Sequence, residues 1–275
     1  PDPPGEEKLL EGRYLVSRIV LDTNNGAAER IVMDFTENNV SVADEDYIYT
    51  LNGKALTIPD VGDGNVHKDG RVFSIVDTTN PVIALYIGIK EGSSVSPGVL
   101  SGDYVVSQFG AIASTDSDPD LSGFTIGTNG SMTSSHDRGI IDSSGEIFSL
   151  ANGSSDTIKV GMKKSLSRST EDLEGRYLVN VIAESNTTNP FTAQFNMELD
   201  GKGNGKITVV KSSLSISGTR EFTYSVNNDG TLNFEEVLVG IVSPDAQSFT
   251  MAIDLTDILP NSSYTGTGLA FGIAQ

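Results

Sequence analysis

Leu10-Glu11-Gly12-Arg13-Tyr14-Leu15-Val16 recurs residue for residue at 173–179, and a relative, LSGDYVV, stands at 100–106. An identity of seven residues with a third relative marks internal repetition, which is sought before any element is assigned. A second motif, Gly-x-[Val/Ile]-x-x-x-[Gly/Ala]-x-x-Phe-[Ser/Thr], runs from Gly64, Gly139 and Gly240 to Phe73, Phe148 and Phe249, with a Gly-to-Phe spacing of nine each time. A third closes each unit as IGIK at 87–90, VGMK at 160–163 and FGIA at 271–274.

The spacings separate rigid parts from elastic ones. From closing Gly to the next opening Tyr the distance is 16 residues at both junctions, Gly88 to Tyr104 and Gly161 to Tyr177. Between opening Tyr and motif Phe it varies, at 59, 44 and 72 residues. Constant junctions with variable interiors suggest hairpins that have grown or shrunk between fixed ends. The expected division is a tether at 1–9 and repeats at 10–99, 100–172 and 173–275.

Each repeat follows the strand period. Tyr14 and Val16 alternate with Leu15 and Ser17, and Phe73 and Ile75 with Val72 and Ser74. Apolar groups on both sides of the opening strand predict a strand covered on both faces or lying in a tightly curved sheet. Asn52-Gly53, Asp69-Gly70, Asn129-Gly130, Asn152-Gly153 and Asp229-Gly230 are hairpin-turn signals. The reading is all-β: antiparallel β-meander modules repeated three times, as abutted small barrels or sandwiches, with one composite propeller-like ring as the alternative. About six strands are expected in the second unit and eight in the third, with little helix.

Composition bounds function. With 37 acidic and 18 basic residues the chain carries a net charge of −19, spread over all three repeats. That opposes binding to a phosphate backbone, so no nucleic-acid partner is expected. No Cys means no thiolate nucleophile, disulfide or zinc-thiolate site. No stretch has the length and apolarity of a membrane helix.

Asp116, Asp118 and Asp120 present alternate carboxylates, as the start of a calcium loop does, although its twelfth position is Gly127 where a Glu is needed. Asp60, Asp63 and Asn65 offer further hard oxygens. His67 and His136 fall at different places in the repeat and read as loop histidines without a catalytic role. No Gly-x-Ser-x-Gly elbow is present, and Glu235 and Glu236, adjacent in a predicted strand, point to opposite faces and cannot act as a glycosidase pair. No catalytic residue, cofactor-binding residue or enzyme activity is therefore expected, with calcium the one candidate cofactor.

Gly12-Arg13-Tyr14 opening an eight-stranded meander weakly resembles the Gly-x-Trp opening of lipocalin- and avidin-like barrels, from which it departs in having no Trp. The Pro/Glu-rich start, the Cys-free acidic repeats, Tyr-Leu-Val and Ile-Gly-Ile-Lys together resemble the tandem β modules of uncharacterised bacterial secreted and surface lipoproteins. That resemblance implies an exported protein, periplasmic or at the cell surface, with a lipid anchor upstream of Pro1, and it assigns no functional residue. The function expected is a non-catalytic envelope or surface protein with a structural or adhesin-like binding role towards a protein or carbohydrate partner. The alternatives are a β-barrel binding a small molecule or carbohydrate, and a hydrolase with a carboxylate site in one repeat.

Overall fold

A computed structural model describes residues 9–21, 26–42, 45–79, 82–110, 114–116, 119, 121–185, 190–235, 238–259 and 264–275. Among these, strands dominate, and all pair antiparallel in three sheets. The first sheet holds β1 (Gly12–Leu21), β2 (Gly26–Phe35), β3 (Asn39–Val42), β4 (Glu45–Ile48), β5 (Thr50–Asn52), β6 (Ala55–Ile58), β7 (Gly62–Val66), β8 (Val72–Asp77) and β9 (Ile83–Lys90). Its order is β4-β3-β2-β1-β9-β8-β7-β6-β5, so the two edge strands are chain neighbours and the sheet is nearly a barrel.

The second sheet holds β10 (Tyr104–Phe109), β11 (Ser114–Asp116), β12 (Thr125–Ile126), β13 (Ser131–Thr133), β14 (Arg138–Ile141), β15 (Ile147–Asn152) and β16 (Thr157–Lys163). Its order is β11-β10-β16-β15-β14-β13-β12. The third closes fully into a barrel of β17 (Glu174–Ser185), β18 (Phe191–Asp200), β19 (Asn204–Ser212), β20 (Thr219–Val226), β21 (Thr231–Phe234), β22 (Leu238–Val242), β23 (Ser248–Asp254) and β24 (Gly266–Ala274). Helix is confined to a 3-10 turn at Thr170–Leu173 and to α1 (Leu255–Ile258). The third sheet has the eight strands expected, and the second has seven against the expected six or so.

The three sequence motifs meet in space. In every sheet the opening Tyr is buried, its ring lies against the motif Phe, and the Phe lies over the closing Gly. Ring centroids are 5.3 Å apart for Tyr14 and Phe73, 5.5 Å for Tyr104 and Phe148, and 5.5 Å for Tyr177 and Phe249. A Cβ on Gly88, Gly161 or Gly272 would lie 2.3, 2.1 or 2.4 Å from the Phe ring, which is why the closing position carries no side chain. Each Tyr hydroxyl donates to a turn carbonyl: Gly70 at 2.5 Å, Gly145 at 2.5 Å and Ala246 at 2.8 Å. The residues bearing those carbonyls have φ of 72°, 73° and 58°, the left-handed turn conformation that explains two of the three glycines.

Burial raises the pKa of Tyr14, Tyr104 and Tyr177, because a phenolate would lose its hydration inside the sheets. The unfolded chain ionises tyrosine near pH 10, so this contribution to stability is whole below about pH 10 and falls as pH rises further. A near-ultraviolet titration should show these three tyrosines ionising only together with unfolding. Complete phenolate formation with the β circular-dichroism spectrum intact would contradict the burial.

Both faces of the opening strands are covered, as their composition predicts. Tyr14 and Val16 face an interior with Met33, Phe35 and Phe73, while Leu15 and Ile19 face a second core shared by all three sheets. That shared core draws Ile87 and Ile89 from the first sheet, Val105 and Val160 from the second, and Ile182 and Phe271 from the third. The packing is cyclic: β1 lies on β14 and β15, β10 on β22 and β23, and β17 on β7 and β8. Equivalent polar side chains mark the seams, where Ser17 Oγ meets Ser149 Oγ at 3.1 Å and Asn180 Nδ2 donates to Ser74 Oγ at 2.8 Å. At the third seam Ser107 Oγ is buried without a partner, and Thr250 Oγ1 donates instead to the Ala270 carbonyl at 3.2 Å.

Candidate functional site

The densest group of ionisable side chains lies where three equivalent turns converge, one from each sheet. Counting from the turn residues Gly70, Gly145 and Ala246, the position three before holds His67, Asp142 or Ser243; one before, Asp69, Ser144 or Asp245; one after, Arg71, Glu146 or Gln247. The repeat thus supplies one scaffold with different, complementary groups. Arg71 is central. Its Nη1 donates to Asp142 Oδ2 at 2.9 Å and to Glu146 Oε2 at 2.6 Å, and its Nη2 to Asp245 Oδ2 at 2.8 Å. One guanidinium therefore joins the first sheet to both others.

His67 is fully buried, with Nδ1 2.6 Å from Asp69 Oδ1 and Nε2 2.9 Å from Asp245 Oδ2. Burial alone would raise the Asp245 pKa, but hydrogen bonds from His67, Ser243 and the Gln247 amide hold it well below the ordinary carboxylate range. Asp142 is 2% exposed, and its Oδ1 accepts the amides of Glu146 and Ile147 at 2.7 and 3.0 Å. For Arg71, burial would lower the pKa, but Glu146, Asp142, Asp245 and Asp69 raise it. Both imidazole nitrogens face carboxylates and Arg71 is held between carboxylates, so the cluster clasps the sheets together.

His67, read from the sequence as a loop histidine without a catalytic role, is a loop residue whose ring the fold buries between Asp69 and Asp245. It leaves the strand end and enters a turn that two other modules cover. His136 is exposed in a turn, as expected. The calcium candidates divide: Asp116 is an exposed residue of β11, whereas Asp118 and Asp120 lie outside the described residues. Asp60 is exposed, but Asp63 accepts from Thr57 Oγ1 at 2.6 Å and pairs with the Lys211 ammonium. Asn65 is buried and donates to the Ile273 carbonyl at 3.2 Å. These two tie the first sheet to the third. No group of three His, Asp or Glu side chains placed to hold a metal occurs among the described residues. Glu235 accepts from Arg220 at 3.1 Å, and Glu236 lies outside the described residues.

Tyr177, Phe195, Phe222, Phe234, Phe249 and Met251 pack together in the interior of the closed barrel. Its outer face carries a trough of about 650 Å³ across β18, β19 and β20, bordered by Glu198, Asp200, Lys206, Glu221 and Thr223. β20 places alternate residues in the core and in solvent there, so Phe222 and Tyr224 pack inward while Glu221 and Thr223 stand out. The trough is acidic, with one ammonium in its wall. No helix among the described residues is long and apolar enough to cross a membrane.

No protein-family model and no curated protein sequence matches this chain. Among solved structures it is similar to the vaccine antigen transferrin binding protein B of Haemophilus parasuis, at 10% identity and a TM-score of 0.35, over 99% of this chain and 77% of that one. The Neisseria meningitidis transferrin binding protein B is similar at 8% identity and a TM-score of 0.35, over 96% and 76%. A protein of unknown function from Nostoc punctiforme is similar at 10% identity and a TM-score of 0.24, over 97% of each chain. At these scores the likeness carries no functional conclusion.

Proposed function

We propose that this chain is a non-catalytic, exported bacterial surface protein that binds a protein or carbohydrate partner through the outer faces of a rigid three-module body. The observation that carries this is the use made of the chemically capable side chains: His67, Arg71, Asp142 and Asp245 hold the modules to one another. A body locked in this way offers fixed outer faces, and the trough over β18–β20 is the contact site of the closed barrel. A ligand of that barrel sits on its wall, since aromatic side chains pack together in its interior.

On an array of glycans and extracellular proteins, the protein should bind at least one feature saturably, and the Glu198→Lys/Glu221→Lys pair should lose at least about tenfold of that affinity, as reversed charges desolvate against the partner. On this reading no cofactor is bound, so added millimolar calcium should leave the melting temperature unchanged, whereas a tight native-state site would raise it. Turnover of glycoside or ester substrates that disappears in a site variant would overturn the non-catalytic reading.

A further inference from the structure

We propose that the interior of the second module is a binding site for a small organic cation, a primary ammonium on a short apolar body. The proposal is independent of the surface role, because it concerns a different module and a different face. In this module a cavity of about 160 Å³ remains inside the sheet. Val106, Phe148 and Leu150 form its floor, and Leu121 and Phe124 cover it. A space of this size is of the order of the cavities that accept a single aromatic ring, although here the lining is part polar.

The polar end of the cavity holds Gln108, Asp137 and Lys159, with the carboxylate of Asp116 at its exposed rim. Asp137 is 9% exposed, and its Oδ2 lies 3.1 Å from Lys159 Nζ. Its Oδ1 is buried with no hydrogen-bond partner. A buried carboxylate oxygen without a donor is costly, and an ammonium is the donor that offsets the cost best. Rotation about the terminal side-chain torsion exchanges the two oxygens, so either can turn to a guest.

The sister modules show what this place is built to hold. Four residues after the opening Tyr stand Arg18, Gln108 and Val181, and two residues before the closing Gly stand Tyr86, Lys159 and Ala270. In the first module the Arg18 guanidinium lies 5.8 Å from the centre of the Tyr86 ring and pairs with Glu29, so the chain supplies its own cation over an aromatic face. In the third module Val181 and Ala270 belong to the apolar interior. In the second the shorter Gln108 stands where Arg18 would reach inward, and space remains beside the aromatic Phe148 and the half-paired Asp137. Lys159 engages one Asp137 oxygen, and the guest ammonium takes the other, beside Phe148 where a longer side chain at position 108 would reach.

Benzylamine is the probe, with benzyl alcohol and toluene as neutral isosteres, read by melting temperature and by methyl and aromatic NMR shifts of the full chain. Benzylamine should bind saturably, raise the melting temperature and shift Val106, Phe148 and Leu150. Leu150→Phe, which fills the floor, should abolish binding, and Asp137→Asn should weaken it by about tenfold or more. Should Asp137→Asn fail to fold, Lys159→Met decides, since freeing the second oxygen should tighten benzylamine binding. Absence of saturable binding, equal binding of benzyl alcohol, undiminished binding by Leu150→Phe, or no tightening in Lys159→Met would each overturn the proposal.

Discussion

Replacing Arg71 with alanine is expected to cost about 3–5 kcal/mol in equilibrium unfolding by urea at neutral pH, the range found when one partner of a buried ion pair is deleted. The Arg71 side chain is 18% exposed and that of Asp142 behind it only 2%, so deletion strands a carboxylate that water cannot reach. The double variant Arg71→Ala/Asp142→Asn should recover part of the loss, because it removes the stranded charge as well. A strictly additive pair would mean that the two side chains are not coupled. Acid should act on the same joint. The Asp245 pKa is depressed in the folded chain, so its contribution is present above the unfolded value of about 3.9 and is lost as pH falls towards the folded value.

Phe148→Ala should cost about 3–5 kcal/mol, as expected for removing a fully buried aromatic ring. Gly161→Ala should cost about 1–3 kcal/mol or more from the opposite cause, since the added methyl would stand 2.1 Å from that ring. The two changes oppose each other in volume, so Gly161→Ala combined with Phe148→Leu should cost less than the two separate losses together. Gly88 with Phe73 and Gly272 with Phe249 have the same geometry and should respond alike. A neutral Gly161→Ala in chemical denaturation would show that the close approach is not real.

Much of this packing is legible in the chain. Tyr14, Phe73 and Gly88 recur at related places because each depends on the others, and a residue that must fit two partners leaves a visible pattern. The two-faced apolar composition of β1 likewise announces a strand enclosed on both sides. The joint around Arg71 is illegible for a physical reason: its members are complementary instead of identical, so a search for recurring residues passes over His67, Asp142 and Ser243. Their alignment three residues before Gly70, Gly145 and Ala246 was the available signal. The burial of His67 also depends on modules distant in sequence, and no local pattern in a Gly- and Asp-rich stretch reports that.

Because the third module packs back on the first through the Asn65 and Ile273 contact and the β17 contacts with β7 and β8, every inter-repeat surface is already occupied. An open solenoid leaves one such surface bare at each end and needs a capping repeat to cover it. This assembly closes after three repeats and has no end to cap. A further copy docking through these same seams would have to displace one of the three sheets already packed there.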